Sequence, residues 1–124
     1  MESASQEIMN TNISLIVSIV RKGWGSTVLQ ASVKAGARGG TAMSGRGAGI
    51  HEQEKIFGIS IEPEKEIVLT MVYADQIDTV LSKIVEAAEL NEVGRGIAFV
   101  LPVDRIAGVA HFMKVPPKQE QALD

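Results

Sequence analysis

The stretch "PEKEIVLTMVYADQIDTVLSKIVEAAELNEVGRGIAFVLPVDRI", residues 63–106, decides the fold. Its first part, Ile67 to Tyr73, is rich in β-branched and apolar residues and reads as a strand. The period then changes. Ile77, Val80, Leu81, Ile84, Val85 and Ala88 recur at helical spacing and make one apolar stripe, with Asp75 placed as an N-cap. "NEVGRG" is a turn, and "IAFVLPV" is a short strand that Pro102, having no N–H, assigns to a sheet edge or a strand end.

Working upstream, Ile56 to Ile61 is also β-rich and joins the Ile67–Tyr73 strand through "EPEK", a turn signal with Pro63 well placed. "NISLIVSIV", residues 12–20, alternates Ile13, Leu15, Val17 and Ile19 on one face. Ile16 and Val20 lie on the other, so the strand is expected to be central. "KGWGSTVLQASVKAG" carries Trp24, Val28, Ala31 and Ala35 along one helical stripe, with Ser26 as N-cap and Gly36 as terminator. Gly23 and Gly25 form a GxG at the helix start; a tight strand-to-helix turn outweighs a phosphate turn there. Residues 1–11 and 113–124 read as flexible ends around a domain of residues 12–112. The order β, α, β, loop, β, α, β gives an α+β, ferredoxin-like (βαββαβ) antiparallel sheet with two helices on one face.

Composition limits the function classes. A chain of 124 residues with 45% hydrophobic and 22% charged content is globular and of one-domain size. A net charge of −3 argues against a nucleic-acid partner, and the lack of cysteine excludes disulfides and thiolate metal sites. The sequence shows neither a signal peptide nor a membrane span, so a cytoplasmic protein is expected. Its two histidines stand far apart and build no triad, so no enzyme is expected. His51 with Glu52 and Glu54 could catch a divalent ion, but a solvated loop is the weightier reading, and no metal site is assigned.

The residue 63–106 stretch, with Gly94 and Gly96 in "NEVGRG" followed by Phe99, Val100, Pro102 and Val103, resembles the PII family of nitrogen-regulatory signalling proteins. In this alignment "GGTAMSGRGAG" takes the place of the strand leading into the family's T-loop, so that Gly39 to Gly47 becomes a strand and residues 45–56 the T-loop equivalent. The resemblance implies a homotrimer that binds an adenine nucleotide (ADP, AMP or ATP) in clefts between subunits. A mobile loop would dock onto a regulated partner protein, such as a membrane transporter.

The nucleotide site implied comprises Gly40, Thr41, Gly45, Arg46 and Gly47 from the glycine-rich stretch. Val93, Gly94, Arg95 and Gly96 from the turn, and Arg105, complete it. Glycines flanking an arginine let backbone amides approach a phosphate while the guanidinium adds fork-shaped donors. The same glycines would equally serve a helix C-terminal turn, and Arg46 would equally be a solvated side chain. The family's phosphate-binding lysine falls at Ile97, and its arginine pair falls near Gly108 and Ala110. The residues associated with Mg-ATP and 2-oxoglutarate fall near Ile50 and His51. No loop tyrosine is present, which excludes the usual uridylylation. These departures favour a less charged nucleotide or a small anion. The reading from a different class is a ferredoxin-like trimer that serves interaction or metal binding without sensing nucleotides.

Overall fold

The computed structural model describes residues 8–49, 54–56 and 59–108. Strand β1 (Ile8–Arg21) is followed by helix α1 (Gly25–Lys34) and β2 (Gly40–Arg46). Two short strands, β3 (Glu54–Ile56) and β4 (Ile59–Ile61), precede the long β5 (Glu64–Tyr73). A 3₁₀ turn at Ala74–Gln76 leads into α2 (Ile77–Ala88), and β6 (Gly96–Ala107) ends the described chain. The main sheet runs β2-β5-β1-β6, with β1 and β2 both antiparallel to β5. This is the ferredoxin-like order. Chain contacts define a body of residues 13–102 and a second unit, residues 1–12 with 103–124. In the second unit, the described residues are the outer ends of β1 and β6.

Alternation in the central strands fixes which face the helices cover. Ile16 and Val20 of β1 and Val68 and Val72 of β5 are fully buried, in one cluster with Val28 of α1 and Val80, Ile84 and Ala88 of α2. The opposite face is left open: Met43, Ile97, Phe99 and Leu101 are exposed. Along that face Val17 stands opposite Leu69 and Ile19 opposite Ile67, with Ile67 also opposite Met43. Two hydroxyls, Ser18 Oγ and Thr70 Oγ1, are buried on the helix side without a hydrogen-bond partner.

Three sequence expectations are corrected. The N-cap of α1 is Trp24, not Ser26, and the cap comes from far away. The Gly25 N–H donates to Glu66 Oε1 at 2.6 Å, so a carboxylate of β5 satisfies the helix N-terminus. A Cβ on Gly25 would lie 2.5 Å from that oxygen, which is why the GxG turn needs its second glycine. Asp75 lies in the 3₁₀ turn and Gln76 caps α2; the Gln76 side chain accepts from the Tyr73 N–H at 3.0 Å and donates to the Gly36 carbonyl at 3.2 Å. Ile59–Ile61 pairs with Glu54–Ile56 in a separate two-stranded sheet and adds no strand to the main one; the main-sheet edge is the glycine-rich Gly40–Arg46. In addition, β1 begins at Ile8, inside the segment expected to be flexible, and β6 runs on to Ala107. The expected tail at 113–124 lies outside the described residues.

Other expectations hold. Gly36, at φ +118°, ends α1, and the α2 stripe buries Val80, Ile84 and Ala88. Pro102 sits in β6, an edge strand of the main sheet.

Candidate functional site

Strand register builds the site from residues far apart in sequence. Arg21 of β1, Lys65 of β5 and Gly45 of β2 form one row across the open face of the sheet. Two cations thus stand opposite each other on neighbouring strands. The next row, Ile19, Ile67 and Met43, is apolar. Beyond the end of β2 the chain continues through Gly47, Ala48 and Gly49, and the α2–β6 turn brings Gly94 and Gly96 alongside.

These elements enclose an open cavity of about 550 Å³, lined by Arg46, Gly47, Lys65, Gly94, Gly96 and Ile97 above a floor of Ile19 and Ile67. The volume suits a small-molecule ligand. Its charged lining residues are both cationic, so the cavity favours an anion. Gly96 (φ +140°) is packed so closely on Ile19 that a Cβ would collide with the Ile19 carbonyl oxygen. Arg21 Nε donates to the Gly94 carbonyl at 2.9 Å, tying β1 to the turn.

A second groove of about 490 Å³ shares Arg46 and Lys65 and adds Lys22, Ser44, Gly45 and Glu64. There Lys22 Nζ lies 2.8 Å from Glu64 Oε1. The hydrogen bond from Lys22, followed by its charge, holds the Glu64 carboxyl below the ordinary carboxylate range; Arg46 adds a smaller pull. The same contact raises Lys22.

Of the residues singled out in the sequence, Arg46, Gly47, Gly94 and Gly96 meet in the larger cavity, and Gly45 lines the second groove. Gly40 is packed instead against Leu29 and the Leu69 carbonyl, and Thr41 is exposed on the row of Leu69. Val93 is 73% exposed. Arg95 turns onto the Trp24 ring, its guanidinium carbon 5.4 Å from the ring centroid, and pairs with Glu89 at 3.1 Å. Arg105, in the second unit, lies 3.7 Å from Asp104. Ile97, where the family pattern puts its lysine, is a wall of the cavity.

Lys65 and Arg21 were missed by sequence reasoning. Their signal was phase: Lys65 follows the alternation of Ile67, Leu69 and Met71, and Arg21 that of Leu15, Val17 and Ile19.

A family model described as "Nitrogen regulatory protein P-II" matches residues 13–110. The chain belongs to the P-II family. A P-II homolog of Arabidopsis thaliana is 30% identical over 112 residues, covering 86% of this chain and 57% of that protein. The P-II chain thus spans little more than half the length of that relative. A crystal structure of Arabidopsis thaliana PII bound to citrate is 31% identical with a TM-score of 0.60, covering 76% of this chain and 79% of that one. The ferredoxin-like sheet already described agrees with membership of that family. Among the described residues, no helix is long and apolar enough to cross a membrane.

Proposed function

We propose that this P-II protein senses a small anionic effector, an adenine nucleotide first among them, in the Arg46–Lys65–Gly94–Ile97 cavity. The observation that carries this reading is the cavity itself, which unites cations and glycines from β2, β5 and the α2–β6 turn. Arg46 and Lys65 would neutralise phosphate or carboxylate charge, and Ile19, Ile67 and Ile97 would take the apolar part of the ligand. Two cations suit ADP or AMP better than a triphosphate. The citrate in the Arabidopsis structure supports small polycarboxylates as a further class.

The working form in this proposal is a cytoplasmic homotrimer. The apolar open face, with Met43, Ile97, Phe99 and Leu101 exposed, is the surface that neighbouring subunits would cover. The 45–56 segment would report the bound state to a partner protein, a transporter or an enzyme of nitrogen or carbon metabolism. No catalysis is assigned to the chain.

Isothermal titration with ATP, ADP, AMP, cyclic AMP and citrate tests the proposal. Binding should weaken roughly 10- to 100-fold in Arg46→Ala and Lys65→Met, the scale of one charge-assisted hydrogen bond. At a hundredfold excess over Kd, ligand should add about 2.7 kcal/mol to stability. Unchanged melting at saturating concentrations of all five compounds would refute the sensor reading.

A further inference from the structure

The turn beside the cavity holds a third cation that does not reach it. Gly94 and Gly96 both line the cavity, yet the side chain between them, Arg95, is turned away onto Trp24 and Glu89. Glu92 adds a weaker contact at 3.9 Å. The docked position is held by contacts that water weakens. The side chains of Glu89 and Glu92 are 46% and 65% exposed against 27% for Arg95, so water screens the carboxylate side of both pairs. A single arginine over a half-buried ring adds a modest cation–π attraction.

Arg95 also sits between two glycines that are both tied to β1. Gly94, with a φ of +82°, accepts from Arg21 Nε through its carbonyl at 2.9 Å. Gly96 is fixed against Ile19. The turn backbone is therefore held at both positions, and a change of partner by Arg95 needs only a change of its own side-chain rotamer. Phosphate offers Arg95 a bidentate, charge-assisted partner that outcompetes a screened carboxylate and a ring face.

We propose that Arg95 is a reserve cation of the site, parked on Trp24 when the cavity is empty and released to the ligand when a phosphorylated anion enters. This rests on the anion-binding reading above and extends it. The cavity's two fixed cations engage any small anion, whereas Arg95 responds to those with a phosphate chain long enough to reach the turn. Release of Arg95 uncovers the face of Trp24, so occupancy is passed to the β1–α1 connection through a named contact.

Trp24 is the only tryptophan in the chain, so its emission reports the parked state directly. The test combines fluorescence excited above nucleotide absorption with calorimetry, using ADP, AMP and inorganic tripolyphosphate as probes. In the wild type, ADP and tripolyphosphate should shift Trp24 emission in step with the calorimetric isotherm, and AMP should shift it less. Arg95→Ala should abolish the shift and weaken ADP binding about tenfold.

Glu89→Gln and Trp24→Leu loosen the parked state without touching the cavity, and each should tighten ADP binding roughly two- to fivefold. Loss of a merely structural clamp would weaken binding in these two variants or leave it unchanged, and either result overturns the proposal. So does ADP binding by calorimetry with no change in Trp24 emission, an outcome that leaves the anion site standing. Absence of calorimetric binding for every probe removes the anion site, and with it the role of Arg95.

Discussion

A methyl group on Gly25 would strike the carboxylate that caps α1, so Gly25→Ala must either move Glu66 or break the cap. Either way the helix N-terminus loses its acceptor, and urea unfolding should show a loss of about 1–2 kcal/mol. The reverse effect is expected at Thr70, whose buried hydroxyl has no partner. Thr70→Val keeps the shape and removes the desolvated group, and should be neutral or stabilise by about 1 kcal/mol in the same assay. The Lys22–Glu64 pair predicts two pH limits of opposite sign. Glu64 is held low, so its contribution is present above the ordinary carboxylate range and is lost as acid titrates through its lowered value. Lys22 is held high, so its contribution is present below the ordinary ammonium range and is lost as alkali passes its raised value. Both groups are exposed, so the effect on stability is small and is best read by titration. In Lys22→Met, the Glu64 carboxyl carbon should titrate at higher pH than in the wild type.

At the scale of elements, α2 and the two central strands were legible because their patterns coincide with their burial. Every residue of the expected α2 stripe is at least half-buried, and Ile84→Ala at its centre should cost about 2–5 kcal/mol in thermal or urea unfolding. Elsewhere local pattern misled. Ile56–Ile61 has the composition of a strand, but Ile59–Ile61 pairs with Glu54–Ile56 in a small sheet of its own, while Gly40–Arg46, with two glycines, forms the main-sheet edge. Both glycines answer to tertiary contacts: Gly40 admits Leu29 and the Leu69 carbonyl, and Gly45 admits Ile67. The cap of α1 was illegible for the same reason, since its acceptor lies 41 residues away. Of the site, the glycines and Arg46 could be read from a family pattern. Lys65 and Arg21 were signalled only by their phase on an apolar face, and strand register is what brings them together. Arg95 carried the right chemistry, but its alternative partner Trp24 lies on another element.

At the scale of the whole molecule, the open sheet face makes the oligomer testable. Phe99 is 39% exposed on that face, and Phe99→Glu should convert a trimer to monomers in analytical ultracentrifugation. One feature of β5 reaches further than any single contact. Glu64, Lys65 and Glu66 alternate across the sheet: Glu64 meets Lys22, Lys65 lines the cavity, and Glu66 caps α1. A one-residue slip of this strand would exchange its faces. Two carboxylates would then crowd beside Arg46's cavity, and an ammonium group would confront the positive end of α1. Mispairing would thus invert the polarity of two places at once, so this short run of alternating charge acts as a proofreading key for the strand that carries the site.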